Sequence, residues 1–101
     1  MGQRKHPPLA PSEIVEILGA RGFTLHHTKG DHGYYLRVYE GRKYMVQVDM
    51  RCDVYGPGLM KRVLNESGMS REQFYCTTKS SAKKIGRPVA SGEELASWRP
   101  T

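Results

Sequence analysis

Long apolar runs are absent from this 101-residue chain. No stretch approaches the ~18 apolar residues needed to cross a bilayer. The opening Met1-Gly2-Gln3-Arg4-Lys5-His6-Pro7-Pro8 has charges with no apolar segment behind them, so neither a spanning helix nor a secretory leader is expected, and placement in the cytoplasm is. Cysteine is scarce. Cys52 and Cys76 lie far apart without a C-x-x-C spacing, which excludes a disulfide framework and predicts two free thiols in a reducing compartment. The length itself excludes large multidomain enzymes and leaves room for one modest core.

What is plentiful is positive charge, a formal +6. Basic chains attract nucleic acid because lysine and arginine neutralise phosphates and release counterions. Here the excess sits at the ends, with Arg4 and Lys5 at the start and Lys79, Lys83, Lys84, Arg87 and Arg99 against Glu93 and Glu94 at the finish. Residues 12–76 hold nine Lys/Arg against eight Asp/Glu. Net charge alone therefore assigns no partner to the middle of the chain.

Residues 1–11, with three prolines and no periodicity, predict a flexible lead-in. Ser12 is placed to cap a helix in which Ile14, Ile17 and Leu18 form one apolar stripe and Gly22 supplies a left-handed stop. From Phe23 to Thr28 the period falls to two, with Phe23, Leu25 and His27 on one face and Thr24, His26 and Thr28 on the other. After a turn at Lys29–Gly33, Tyr34–Tyr39 alternate again, and beyond Glu40-Gly41-Arg42 so do Tyr44–Asp49. Three strands joined by short turns predict an antiparallel meander.

A polar loop, Met50–Tyr55, leads to Pro57 at the first turn of a second helix with Met60, Val63 and Leu64 on its apolar side and Gly68 at its end. Ser70-Arg71-Glu72-Gln73 is a capping box between Met69 and Phe74, so a short helical turn follows. The predicted fold is α+β, helix–three strands–helix, with a three-stranded antiparallel sheet, helices on one face and the other face open. Residues 77–101, rich in Ser, Thr, Lys, Gly and Pro, predict a basic and largely disordered tail. Within it, Ser91 and Glu94 can cap one helical turn around Leu95 and Trp98, which needs a surface to form against.

The candidate chemistry lies in the histidines. On a regular strand His26 and His27 point to opposite faces, and no Cys pair or H-x-x-x-H helix completes a tetrahedral set, so no metal site and no cofactor are expected. His32 stands in Lys29-Gly30-Asp31-His32-Gly33, where the glycines expose the imidazole and let a phosphate backbone come close. An imidazole titrates near pH ~6.5 and serves as general base or acid. RNA brings its own nucleophile, the 2′-hydroxyl, so one histidine with a cation such as Lys29 or Arg37 can promote its cleavage without metal. A histidine in a polar turn can also be no more than that, and position alone does not decide.

Two stretches carry a resemblance. Ser12-Glu13-Ile14-Val15-Glu16-Ile17-Leu18, then Arg21-Gly22-Phe23 and Lys29-Gly30-Asp31-His32, together with Gly58-Leu59-Met60-Lys61-Arg62-Val63-Leu64 through Gly68-Met69 to Phe74, resemble the HicA toxin family in order and spacing. The family pattern has a Gly-Phe or Gly-Trp pair ahead of a Lys-Gly-x-His turn, and a closing helix of the form Gly-x-x-Lys-x-Ile-Leu. The resemblance spans residues 12–75 and implies a fold like a double-stranded-RNA-binding domain. It also implies cleavage of single-stranded RNA, mRNA included, and neutralisation by a HicB-type antitoxin. The family's catalytic histidine falls on His32. The segment Val46-Gln47-Val48-Asp49-Met50-Arg51 lacks the Val-Pro-x-His common there, which predicts either an altered substrate preference or a reduced activity.

The expectation is therefore a metal-independent endoribonuclease with His32 catalytic and with Lys29, Gly30, Arg37 and Lys61 contacting RNA. Strand tyrosines either stack on bases or pack the sheet. The alternative is the same fold as an RNA- or protein-binding module without catalysis.

Overall fold

The computed structural model describes residues 5–96 and 99–100. Helix α1 (Pro11–Ala20) begins two residues earlier than predicted, with Ala10 in place of Ser12 as its N-cap. Pro11 takes the first helical position, where its missing N–H is harmless. Ser12 thus falls inside the first turn instead of capping it, and the Glu13 carboxylate accepts the Ala10 N–H at 2.9 Å. Gly22, at φ 90°, ends the helix in the left-handed region as expected.

The chain then runs through β1 (Thr24–Lys29), β2 (His32–Tyr39) and β3 (Arg42–Asp49), an antiparallel sheet in that order. Both connections are tight. Lys29 pairs with His32 around Gly30-Asp31, and Tyr39 pairs with Arg42 around Glu40-Gly41. Gly30 has φ 62°, and Glu40 and Gly41 have φ 49° and 80°, the positive angles that two-residue hairpins require. The first turn is shorter than predicted, so His32 opens β2 as a strand residue.

The α+β layer is as expected. Tyr44, Val46 and Val48 of β3 share a core with Ile14, Ile17 and Leu18 of α1 and with Met60, Val63 and Leu64 of α2 (Pro57–Ser67). Cross-strand register puts Gly33, Tyr35 and Arg37 beside Val48, Val46 and Tyr44 on that inner face, and His32, Tyr34, Leu36 and Val38 on the outer one. The Ser70 box precedes α3 (Arg71–Tyr75), with Ser70 Oγ accepting the Gln73 N–H at 3.1 Å and Gln73 Oε1 accepting the Ser70 N–H at 3.0 Å.

The predicted boundaries of the ordered part, 12 and 76, are both too narrow. Leu9 is buried and exchanges backbone hydrogen bonds with Tyr55, so the described part of the lead-in is a structural edge. Beyond Cys76, α4 (Lys79–Lys84) is capped by the Thr78 hydroxyl and, with Ile85 after it, turns Ser81, Ala82 and Ile85 inward while Lys79, Lys83 and Lys84 face water. The Ser91 cap forms α5 (Gly92–Ala96), tied down where buried Arg21 donates to the Glu94 carbonyl. Trp98 lies outside the described residues. The tail composition misleads because helices this short gain their stability from burial and not from propensity.

Tyr75 links these extensions. Its hydroxyl donates to the Pro7 carbonyl at 2.7 Å, and burial pushes its pKa up to about 12. A free tyrosine titrates near ~10. The fold thus favours the protonated ring, a contribution fully present below pH ~10 and lost as pH rises through about 12. Urea midpoints should fall above pH 10 for the native chain. Tyr75→Phe should lose about 1 kcal/mol at pH 7 and show less of that alkaline fall.

Candidate nucleic-acid interface

Each outer-face row is set by strand register. Lys29, His32 and Asp49 form one cross-strand row, His27, Tyr34 and Gln47 the next, and Thr24, Leu36 and Met45 a third. The first two rows are polar and aromatic and the third largely apolar, so the chemistry is concentrated at the end of the sheet that carries the Gly30-Asp31 turn.

His32 and Asp49 face each other, with Nε2 3.7 Å from Asp49 Oδ2 and each side chain partly open to solvent. Asp49 is held from two directions. Its N–H donates to the Tyr55 hydroxyl at 2.7 Å, and its Oδ1 accepts the Arg51 N–H at 3.0 Å. The Tyr55 ring is buried, so the loop that looked merely polar in sequence anchors the carboxylate beside the histidine. The Met50 N–H, donating to the Asp31 carbonyl at 2.9 Å, closes the strand end.

A cleft of about 120 Å³ opens between this row and α2, lined by His32, Gln47, Asp49, Cys52, Tyr55, Leu59 and Arg62. Arg62 reaches Glu66 at 3.8 Å, and Glu66 Oε1 also accepts the Gln47 N–H at 3.2 Å. Glu66 thereby satisfies the outward-facing edge of β3 and fixes the arginine over the cleft.

The structure brings Lys29 and Gly30 to His32 and leaves the other two expected contacts elsewhere. Arg37 lies on the inner face, where it donates to the Arg21 carbonyl over Gly22, so the sheet separates it from His32. Strand alternation decides this, because an odd step from His32 changes face. Lys61 is exposed on the side of α2 that turns toward His6, whose pKa is held down by burial and then by Lys5, Arg71 and Lys61. Its neighbour Arg62 lines the cleft instead. Sequence reasoning missed Arg62, Asp49 and Tyr55. Arg62 had a signal, since it stands four residues before Glu66 on the polar side of α2, the spacing of a helical ion pair, but Asp49 becomes legible only when the β2–β3 register is known.

Histidines 26 and 27 also depart from expectation. Leu25 pairs with Tyr35 and His27 with Tyr34, so the register shifts by one residue between them. This β-bulge suspends the alternation that would separate the two imidazoles, and their Nδ1 atoms come within 2.7 Å. The His27 ring stacks on Tyr34 at 4.4 Å between centroids.

A larger cavity of about 410 Å³ lies away from His32, among Arg21, Cys76, Arg87 and Glu94. Burial pushes the Cys76 thiol up, which makes it a poor nucleophile. Cys52 and Cys76 are both free thiols. Among the described residues no cluster of three or more His, Cys, Asp or Glu forms a metal cage, and no helix is long and apolar enough to cross a membrane. Comparison with protein-family models, with curated proteins and with solved structures returns no match.

Proposed function

We propose that this chain is a toxin-type, metal-independent endoribonuclease that cleaves single-stranded RNA, mRNA included, with His32 as its general acid or base. The observation that carries the reading is the row Lys29–His32–Asp49 on an uncovered sheet face, bordered by Arg62 and by the Tyr34–His27 stack. In the reaction the 2′-oxygen attacks the adjacent phosphorus, the bond to the 5′-oxygen breaks, and the products are a 2′,3′-cyclic phosphate and a 5′-hydroxyl. His32 accepts the 2′-hydroxyl proton or delivers one to the departing oxygen. Lys29 and Arg62 supply positive charge to the crowded phosphate, and Tyr34 offers a ring on which an unpaired base stacks. Asp49, through His32 Nε2, orients the imidazole and leaves Nδ1 for RNA.

The resemblance in residues 12–75 supports the same reading and brings two finer expectations, a fold like a double-stranded-RNA-binding domain and a HicB-type antitoxin as partner. The deciding experiment incubates the full chain and His32→Ala with a mixed-sequence single-stranded RNA in EDTA. Cleavage by the native chain alone, leaving cyclic-phosphate ends, supports the proposal. Binding without cleavage by either reduces the chain to a binding module.

Arg62 gives a separate check. Each phosphate contact to single-stranded nucleic acid adds about 0.7 to the slope of log affinity against log salt. Arg62→Gln should weaken RNA binding and flatten that slope by about this amount, whereas Arg37→Gln should leave the slope unchanged.

A further inference from the structure

We infer that His26 and His27 form a two-imidazole binding site for a divalent transition-metal ion, Cu²⁺ above all. This does not rest on the ribonuclease reading, which needs no metal.

The bulge between Leu25 and His27 places the two Nδ1 atoms 2.7 Å apart on the exposed edge strand. At that separation only one Nδ1 carries a hydrogen, which it donates to the other's lone pair. For both to bind a metal, the first ring takes its neutral Nε2–H tautomer, the proton moving through solvent. Both Nδ1 lone pairs are then available, and a rotation of the rings, chiefly His26, turns them from facing each other to converge on one ion, with no net proton released.

The spacing selects among ions. Metal–imidazole bonds of about 2.0–2.1 Å put two nitrogens about 3.3–3.4 Å apart in a tetrahedral site and about 2.9 Å apart at neighbouring corners of a square one. The observed 2.7 Å needs only a slight opening for tetragonal Cu²⁺ or Ni²⁺ and a wider one for tetrahedral Zn²⁺. Affinity order along the first transition row also favours copper. Magnesium and calcium, which take oxygen ligands, are excluded.

One ligand is already held in place. The His27 ring lies within 9° of parallel to Tyr34 at 4.4 Å, which restricts its rotation, while His26 meets it edge-on at 5.0 Å. With no third His, Cys, Asp or Glu grouped among the described residues, water fills the remaining positions and the ion exchanges readily.

The test titrates metal-stripped full chain with CuCl₂ and follows the electron paramagnetic resonance spectrum and the bound stoichiometry. One Cu²⁺ per chain with hyperfine structure from two imidazole nitrogens is expected, unaffected by millimolar Mg²⁺. His26→Gln and His27→Gln should each weaken that site at least tenfold. Tyr34→Ala, which leaves both ligands but frees the His27 ring, should weaken it several-fold. His6→Gln and His32→Gln should stay within twofold of the native chain. All these side chains are at least partly exposed, and circular dichroism verifies that the fold persists. Loss of the site in His6→Gln or His32→Gln, or unchanged affinity in either His26→Gln or His27→Gln, overturns the assignment.

Discussion

His32→Ala is expected to lower RNA cleavage by about 10² to 10⁴, the contribution of one positioned general acid or base. At 1.36 kcal/mol per tenfold this is about 3–5 kcal/mol of transition-state stabilisation. The effect should fall on turnover and leave RNA affinity nearly intact, because Lys29, Arg62 and Tyr34 remain on the same face. Stability should barely change, since the side chain is 40% exposed and its ion pair with Asp49 is long, at 3.7 Å. Asp49→Asn provides the contrast. It keeps the shape and the N–H donated to Tyr55 but removes the charge beside the imidazole. As a positioning residue it should reduce turnover less than His32→Ala, and RNA should bind slightly tighter without the repelling carboxylate. Single-turnover rates and filter binding on the same preparations separate these effects. Equal cleavage by native chain and His32→Ala would end the catalytic assignment of this residue.

Ile85→Ala should destabilise the fold by about 2–4 kcal/mol, within the range for a buried isoleucine cut to alanine. Ile85 is only 4% exposed and belongs to the same core as Phe74 and Tyr75. Against a total stability of roughly 5–15 kcal/mol such a loss is large, and for a domain of this size it lowers the melting temperature by something on the order of 10–25 °C. If residues after Cys76 were a solvated tail, the substitution would change nothing. Calorimetry on the two proteins distinguishes these cases, and Val89→Ala, at a side chain 39% exposed in the same region, serves as the control with little expected change.

The meander was legible because its signals are local. Alternation in Tyr34–Tyr39 and Tyr44–Asp49, the glycines at 30 and 41, Pro57 and Gly68 around α2, and the Ser70–Gln73 box each act within a few residues, and each is found where the pattern put it. The site was half legible. His32 and Lys29 stand out beside a glycine turn, but Arg37 was expected near His32 because the sequence puts His32 in the turn, and a turn residue's face relative to the strand that follows cannot be counted. With Gly30-Asp31 as the whole loop, β2 starts at His32 and every odd step from it points inward.

What the sequence by itself determined is the order of elements from α1 to α3, the sheet's antiparallel pairing, the apolar stripes of α1 and α2, and the place of His32 beside a lysine–glycine turn. Short-range sterics, capping and hydrophobic period suffice for these. Only the tertiary structure decided that Asp49 and Arg62 join His32, that a bulge turns His26 toward His27, and that Leu9 and Ile85 belong to the core. Each of these depends on register or on burial between segments far apart in the chain, and weak local propensity gives way when a buried contact outweighs the entropy of ordering a short segment.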